Sequence, residues 1–510
     1  MTAAADLILT NARVHTLTSA SLAAAETPDA EAVAVRDGRI VRIGSAYDLR
    51  FLDGIDTRVI DLDDRVVLPG FIDAHTHLRH TGERLTNADL TSAESRTAAL
   101  DQLAAYADTT EDDWILGVGY DDSGWSDGTL TQADLDAIDR DQPVAAIRVD
   151  QHRAVCNRTA LAYCREHASE QYVEPPETPP GAVVEDAVGI IREAVAPGES
   201  GTAAILKTAI DYAVARGITG VHEKTRSATV ARVYRERAQA GDLPIRVRLD
   251  YWVDFLEALR EVGVRTNHGS DRVTVGAIKL LADGSVGART ARFEEPYADT
   301  THRGEWVHDP AAVETRVNAA VDAGFQVAVH AIGDAAVTEI VDTLAAAEGE
   351  RHRIEHAEFA TDEAIERMAT AGVIASVQPN FLRWAGADGL YAQALGSERA
   401  TQADRIGQLD AAGVPLAFGS DGMPLDPLYG IEQVTTAPTT AQALPVGAAL
   451  RAYTHGSAYA GFDEDRLGTI ESGKRADLVA LEASPWERSS IEDIDVAMTV
   501  VDGAVVHDAR

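Results

Sequence analysis

The stretch Arg272–Ala291, "RVTVGAIKLLADGSVGARTA", combines an apolar run typical of a buried β-strand with a lysine near its centre. The chain has only four lysines in 510 residues, namely Lys207, Lys224, Lys279 and Lys474. Three of them stand in polar surroundings that are typical of surface residues. Lys279 lies in the apolar run, where a bare ammonium group is costly unless it is paired or neutral. The position therefore predicts a buried lysine that is either paired or neutral.

Six further runs of the same kind follow or precede this one, and each ends in polar or charged residues. They are "ARGITGVHE", "PIRVRLDYW", "GFQVAVHAIGD", "RHRIEHAEF", "GVIASVQPNF" and "GVPLAFGSDG". Helix-like segments such as "DPAAVETRVNAAVDA" and "TDEAIERMATA" precede several of them. Buried parallel strands with active groups at their carboxyl ends predict an α/β fold, a (β/α)₈ TIM barrel. A doubly wound open sheet is the alternative, but a glycine-rich phosphate loop does not follow a first strand.

The two ends of the chain carry a different pattern. "AEAVAVRDGRIVRIG" and "VAMTVVDGAVVHD" alternate apolar residues around Asp37-Gly38 and Asp502-Gly503, which predicts two β-hairpins. Each flank has too few strands to be stable alone, so we expect one small β-sandwich from residues 1–70 and 461–510. Two unrelated hairpins are the alternative. The barrel then occupies 71–460, and the interval of about 80–200 exceeds one βα unit and predicts an insertion over part of the barrel mouth.

The chain has 82 acidic and 45 basic residues and a net charge of −37. Because the acidity is diffuse and no basic stripe is present, we expect no nucleic-acid partner and a small-molecule substrate. A diffuse acidic excess with little lysine resembles proteins of salt-accumulating, halophilic organisms. The two cysteines, Cys156 and Cys164, form no disulfide framework, and neither a signal peptide nor a membrane-spanning run is visible. The expectation is a soluble cytoplasmic protein without membrane contact.

Histidines and an aspartate also end apolar runs. "LPGFIDAHTHL" places His75 and His77 two residues apart, and strand geometry points both to one face. The other three residues at such ends are His330, His356 and Asp421. Singly, each has an ordinary alternative: a solvated strand end, a hydrogen-bonded core histidine, or a turn aspartate. Together with Lys279, all at strand ends of one barrel, they predict a metal site.

These motifs resemble the amidohydrolase superfamily and, within it, the amidohydrolase-3 group of YtcJ-like proteins. The resemblance covers nearly the whole chain and rests on "PGFIDAHTHL", "IKLLADGSVGARTA", "VHAIGD", "IEHA", "GSD" and "GTIESGKRADLVAL". In that group carbon dioxide carboxylates the lysine, and the carbamate bridges two divalent metal ions. Burial pushes a lysine toward the neutral amine, which is the form that reacts with carbon dioxide. The alternative for Lys279 is a salt bridge to Asp283.

The resemblance implies a ligand set and a mechanism. His75, His77 and Asp421 would hold one metal, His330 and His356 the other, and carbamylated Lys279 would join them. Zinc is the expected metal, although manganese, iron, cobalt or nickel suit the same ligands. Two metals lower the pKa of a shared water to give a bridging hydroxide, and Asp421 would pass its proton to the leaving amine.

Four residues are candidates for contact with the substrate. Asp283 and Arg289 follow the lysine strand, with a structural ion pair as the alternative. "VDQHRAVCN" resembles a family segment that brings a histidine, here His152, toward the substrate, although Gln151 replaces the usual glycine. His222 and the adjacent Glu223 close "GITGVHE" and are expected to line the pocket, with a solvated loop as the alternative.

The leading function is hydrolysis of a carbon–nitrogen bond in a non-peptide amide, with N-substituted formamide deformylation as the lead candidate. Cyclic-amide hydrolysis, deamination, and lactone or phosphotriester hydrolysis are the alternatives among enzymes. Mononuclear deaminases of the superfamily usually lack the bridging lysine, so Lys279 argues against them. A non-catalytic barrel scaffold is the alternative from another class, but all six ligand positions are filled. The resemblance is also compatible with a homodimer.

Overall fold

The computed structural model describes residues 4–18, 26–110, 112–139, 141–176, 178–195 and 198–510. It divides into two compact units. The first comprises Met1–His77 and Ile210–Arg510, and the second comprises Leu78–Ala209. No helix among the described residues is long and apolar enough to cross a membrane.

The terminal segments of the first unit form two facing sheets. One sheet contains Leu7–Thr10, Ala32–Arg36, Arg39–Gly44 and Arg58–Asp61. The short helix Ala46–Leu49 contacts the second and third of these strands. The other contains Arg13–Val14, Val66–Pro69, Leu478–Leu481, Val496–Val501 and Ala504–Asp508. Buried side chains of both sheets, including Leu9, Val35, Val67 and Leu478, pack into one core. The small β-sandwich built from both termini is therefore confirmed.

Both predicted hairpins are present. Asp37 and Gly38 join their strands with φ of 53° and 71°, and Asp502 and Gly503 do so with φ of 51° and 74°. Positive φ at both central residues is the type I′ geometry, which matches the right-handed twist of the flanking strands. Aspartate followed by glycine is the residue pair that tolerates it best.

Eight parallel strands form the barrel, and they pair in chain order from first to eighth. They are Phe71–Thr76, Ile218–Thr225, Arg246–Trp252, Val273–Leu281, Val327–Ala331, Arg353–His356, Ile374–Val377 and Leu416–Phe418. The chain meets the first strand just after the eighth strand ends, where the Asp421 amide donates to the His75 carbonyl at 2.7 Å. A Cβ at Gly419 would lie 2.4 Å from the His75 nitrogen. Only glycine permits this approach, so the barrel nearly closes at the "GSD" motif.

Helices surround the barrel strands. They are Ala228–Ala240, Leu256–Glu261, Pro310–Asp322, Asp334–Ala346, Asp362–Ala371, Leu390–Leu395, Ser397–Ala400, Ile406–Ala411, Pro427–Thr435, Val446–Arg451 and Ser457–Ala460. One more helix, Glu199–Val214, contains the boundary of the two units in the chain. Both helix-like sequence segments quoted above are confirmed, and side chains of Asp309 and Thr361 cap their amino ends. A π-helical turn, Ala452–Gly456, links the last two helices.

The second unit follows the first barrel strand in the chain. Its five-stranded sheet contains Ala88–Asp89, Ile115–Tyr120, Val144–Arg148, Arg153–Cys156 and Ala182–Val184. Its helices are Leu78–Thr86, Arg96–Ala107, Gln132–Ile138, Arg158–His167 and Asp186–Ala194. Separate apolar clusters cover its two faces, and the free thiols of Cys156 and Cys164 are buried in one of them. An insertion with its own core therefore separates the first barrel strand from the second.

Candidate metal centre

His75 and His77 stand at the carboxyl end of the first strand. His75 Nδ1 lies 2.6 Å from Glu355 Oε2, and His77 Nδ1 lies 3.0 Å from the main-chain oxygen of Lys224. A nitrogen facing such acceptors carries the proton, which leaves the lone pair on Nε2. The two Nε2 atoms lie 3.6 Å and 3.4 Å from the same oxygen, Asp421 Oδ1. Both imidazoles therefore present a lone pair toward one carboxylate.

Asp421 follows the eighth strand in a left-handed backbone conformation, with φ of 55°. The next helix begins at Pro427, and its amino end is capped by the side chain of Asp426. Asp421 is therefore not the cap of that helix. Burial raises the pKa of its carboxyl to about 7, against the opposing charge of Lys279. A carboxyl with a pKa near neutrality is suited to accept and return a proton.

His356 ends the sixth strand, also in a left-handed conformation, with φ of 71°. One ligand atom each from His75, His356 and Asp421 lie within 4.8 Å of one another. The ring of His330, in the fifth strand, is centred 4.4 Å from the ring of His356. Strained left-handed residues concentrate at functional sites, and two of these residues carry that strain.

Burial keeps these imidazoles neutral. It lowers the pKa of His75 and His356 well below the ordinary value and that of His77 to about 3. The nearby charge of Lys279 lowers all three further. A neutral imidazole is the form that binds a metal ion. Among the described residues, the buried Nδ1 of His356 has no hydrogen-bond partner.

Lys279 lies in the fourth strand with 2% of its surface exposed. Its Nζ is buried and makes no hydrogen bond to any residue that the structure describes. Burial lowers its pKa to about 7 although the charges of Glu355 and Asp421 oppose this. A large fraction of the lysine is therefore the neutral amine near pH 7.

A buried ion network that the sequence did not reveal lies between these ligands. Lys224 Nζ is 2.5 Å from Asp250 Oδ2 and 3.7 Å from Glu355 Oε1. Arg353 lies 2.6 Å from Glu355 Oε1 and 3.5 Å from Asp250 Oδ2. All four side chains have 0% exposure. The expectation that Lys224 is a surface residue was wrong, because its polar-looking segment is the buried end of the second strand.

The network explains the state of Lys279. Two basic side chains, Lys224 and Arg353, pair with two acidic ones, Asp250 and Glu355, so the formal charges of the network balance. Burial raises the pKa of Glu355. The pKa is nevertheless held well below its usual range by the nearby Arg353, Lys224 and His75. Its negative charge is thus already shared, and no ion pair to Lys279 is present among the described contacts, although the nearby charge of Asp421 raises the lysine pKa.

Two features of the sequence are consistent with the network. Gly276, in the lysine strand, leaves room for Asp250, whose Oδ1 would lie 1.9 Å from a Cβ placed there. Arg353 and Glu355 stand two residues apart, so alternation along a strand places both on one face. Neither feature identified the partners that come from other strands.

Asp283 and Arg289 have structural partners. The Asp283 carboxylate accepts from the amides of Ile332, Gly333 and Arg292 at 3.0, 2.9 and 2.7 Å. It therefore holds the loop after the fifth strand, and the proposed alternative of a Lys279–Asp283 salt bridge is absent among the described contacts. Arg289 pairs with Asp299 at 2.9 Å. A substrate contact by either residue stays a prediction.

His222 lies inside the second barrel strand, and His152 directly precedes the strand Arg153–Cys156. His222 is buried three residues before the second strand ends, and its Nδ1 lies 2.8 Å from Arg353 Nη1. Its pKa is well below the ordinary value, chiefly through burial. His152 belongs to the second unit, where its Nδ1 lies 3.0 Å from Glu185 Oε2. Their contact with substrate stays a prediction, and the solvated-loop alternative for His222 was wrong.

A carboxyl pair lies beyond His356. Burial, followed by the charge of Asp404, raises the pKa of Glu358 well above its usual range. Burial likewise raises the pKa of Asp404 to about 8. Tyr391 donates to Glu358 Oε2 at 2.8 Å. These groups hold at least one proton at neutral pH and lie close enough for Asp421 to affect the pKa of Glu358.

The donors suit divalent metal ions. Neutral imidazoles and carboxylate oxygens at the carboxyl ends of barrel strands are the ligands of catalytic metal sites, and the orphaned His356 Nδ1 and Lys279 Nζ fit such a use. The His75–Glu355 pair is the carboxylate–histidine arrangement that usually orients a ligating imidazole. The class of protein that the fold and the site define is the metal-dependent hydrolase.

Comparison with known proteins agrees with this class. The model of the amidohydrolase family, Amidohydro_3, matches residues 58–507. A putative amidohydrolase, YtcJ, of Bacillus subtilis is 30% identical over 94% of this chain and 96% of its own length. An N-substituted formamide deformylase of Arthrobacter pascens is 25% identical over 99% of both chains. The crystal structure of an uncharacterized metal-dependent hydrolase from Pyrococcus furiosus shares 27% identity and a TM-score of 0.78, covering 94% of this chain and 100% of that one. This chain belongs to the amidohydrolase family.

Proposed function

We propose that this enzyme hydrolyses the carbon–nitrogen bond of a non-peptide amide, with N-substituted formamides as the leading substrate class. The observation that carries the proposal is the buried Lys279 amine without a partner among the described residues, beside neutral histidines and Asp421. The formamide class is supported by the resemblance to the deformylase over nearly the full length of both chains.

The proposed ligand sets follow the side chains described above. His75, His77 and Asp421 would hold one divalent ion, and His330 and His356 the second, with zinc as the proposed metal. Nε2 of His330 faces the Gly284 carbonyl at 3.0 Å, so in that tautomer Nε2 carries the proton and Nδ1 carries the lone pair. Such ions, when bound, polarise a substrate carbonyl and lower the pKa of water.

Lys279 would join the two sets as a carbamate. The neutral Nζ attacks carbon dioxide, a nitrogen–carbon bond forms, and one proton leaves to give an anionic carboxylate on the lysine. The network of Lys224, Arg353, Asp250 and Glu355 supports this step because it leaves the amine without a counterion. An ammonium ion held in a salt bridge could not react this way.

Asp421 is the proposed proton carrier. Its oxygen faces both Nε2 atoms of the histidine pair, and its pKa is about 7. In amide hydrolysis it would accept a proton from the attacking water and return it to the leaving nitrogen. The products of a formamide are then formate and a free amine.

A substrate panel tests the reaction class. Zinc-loaded and chelator-stripped enzyme would be offered N-alkyl and N-aryl formamides, matched acetamides, cyclic imides, lactones, phosphotriesters and aminated heterocycles in high salt. Formate release from formamides, dependent on metal and at least tenfold faster than acetate release from the acetamides, is the expected result. Ammonia release from heterocycles alone would instead identify a deaminase, and turnover of cyclic imides alone a cyclic amidase.

A second experiment tests the carbamate independently of substrate. Enzyme reconstituted with metal and ¹³C-bicarbonate should show one carbamate carbon resonance, and Lys279→Ala should lack it. Lys207→Ala, an exposed lysine on the helix Glu199–Val214, is the matched control and should keep it. Acetate should restore metal content to Lys279→Ala by occupying the space of the lost carboxylate. A wild-type protein that binds two metals without the resonance would contradict the bridging role.

A further inference from the structure

A small cavity of ≈ 20 Å³ lies at the amino ends of the second, third and fourth barrel strands, the opposite end from the candidate metal centre. Four arginines and two aspartates are among its lining residues: Arg246, Arg248, Arg272, Arg466, Asp271 and Asp463. These arginines do not serve to keep the protein soluble, because they are partly or fully buried. The proposed hydrolysis uses none of them.

The ion pairs around this cavity leave one positive charge over. Five arginines and four aspartates form one connected set: Arg246 with Asp477 and Asp502, Arg272 with Asp502, Arg466 with Asp271 and Asp463, Arg475 with Asp271 and Asp502, and Arg248 near Asp463. Five cations and four anions sum to +1. A local positive surplus stands out in a chain of net charge −37.

Arg248 is the least compensated member of the set. It is 4% exposed, and its nearest carboxylate oxygen in the set, on Asp463, is 3.9 Å away. Its Nη2 donates to the neutral oxygen of Asn267 at 2.5 Å. Its Nε is buried and has no hydrogen-bond partner among the described residues, and the same is true of Arg272 Nη1. A buried charged donor left unpaired is costly, so both groups favour an acceptor in the cavity.

We propose that this cavity binds one small monovalent inorganic anion of chloride size, with Arg248 and Arg272 as its donors. The single surplus charge sets the valence. The volume favours a small species, because ≈ 20 Å³ is about the space that one water-sized species needs. Water would satisfy the donors but would leave the charge of the buried guanidinium uncompensated.

Crystals of the full chain grown in sodium bromide test the site directly. Bromide scatters anomalously, so the expected result is an anomalous peak in the cavity within hydrogen-bonding distance of Arg248 Nε. Crystals of Arg248→Gln should lack the peak. A cavity that shows only water density in the wild-type bromide crystals would overturn the proposal.

Thermal unfolding tests the site in solution. At equal ionic strength, chloride and bromide should raise the midpoint above that in gluconate by on the order of 1–2 °C, since an ion that binds only the folded state stabilises it. Arg272→Gln, at a half-buried position, removes the surplus charge and should lose this difference. Arg367→Gln, whose partner Asp342 lies in an exposed pair, is the matched control and should keep it. An equal halide response in Arg272→Gln, or none in the wild type, would overturn the proposal.

Discussion

Glu355 Oε2 lies 2.6 Å from His75 Nδ1, and both side chains are buried. The carboxylate fixes the proton on Nδ1 and the lone pair on Nε2, which faces Asp421. Its other oxygen lies 2.6 Å from Arg353. The orientation of a candidate metal ligand is therefore connected directly to the charge network of the barrel interior.

The first prediction concerns Glu355→Gln. The amide accepts from Nδ1 more weakly and can also donate, so His75 loses its single tautomer and part of its basicity. We expect metal affinity to fall by roughly 10- to 100-fold, measured by competition with a chelator. Glu363→Gln, on an exposed helix turn, should bind metal as the wild type does. Unchanged affinity in Glu355→Gln would show that His75 is oriented by other contacts.

Lys224→Met tests the charge network through stability. Asp250 and Glu355 would keep only Arg353 as a buried cation, and removal of one partner from a buried ion pair costs about 3–5 kcal/mol. Urea unfolding should show this loss, and the double variant Lys224→Met/Asp250→Asn should recover part of it. Lys207→Met should stay within about 0.5 kcal/mol of the wild type, as surface substitutions do. A loss of that small size for Lys224→Met would mean that the network is not stabilising.

The pH dependence of stability should report on Lys279. In the folded protein its pKa is about 7, lowered by burial from 10.5, so between these values the unfolded state binds more protons than the folded state. This group therefore makes metal-free, carbonate-free protein more stable as pH rises from about 7 to 10.5. Lys279→Met removes the contribution, so its stability relative to the wild type should be greatest near pH 7 and decline toward pH 10. Chemical unfolding of both proteins at several pH values measures this, and a constant difference would contradict it.

Asp421→Asn separates proton transfer from folding. The amide keeps the shape but accepts no proton, so we expect kcat to fall by about 10²–10⁴-fold on whichever panel compound is turned over. Since His75 and His77 remain, much of the metal should stay bound, as measured by elemental analysis. Asp254→Asn, at an exposed position, is the control. Substantial activity in Asp421→Asn would assign the proton transfer to another group.

Salt should stabilise the whole chain. A net charge of −37 repels itself in the folded state, and the Debye length shrinks from about 10 Å at 0.1 M to about 3 Å at 1 M salt. We expect refolding yield and unfolding midpoint both to rise between 0.1 and 2 M sodium chloride. Full refolding without added salt would count against the salt-adapted interpretation of the composition.

The sequence by itself determined the architecture and placed the candidate ligands on it. Period-two alternation, Asp-Gly turns and apolar runs ending in polar residues are local patterns, and local patterns specify strands, hairpins and helix starts. The end of a parallel strand is also a local property. His75, Lys279, His330, His356 and Asp421 could therefore be assigned to one end of one barrel.

Only the tertiary structure decided which side chains meet. Lys224 looked like a surface residue because its own segment is polar, and its burial depends on Asp250 and Glu355, which other strands supply. Tertiary structure also decided the partners of two further residues. The Asp283 carboxylate accepts hydrogen bonds from amides of a later loop, and Arg289 pairs with Asp299. Charge compensation in a buried interior is a sum over neighbours in space. A sequence lists neighbours along the chain, so it could mark Lys279 as unusual but could not show that its counterions are already taken.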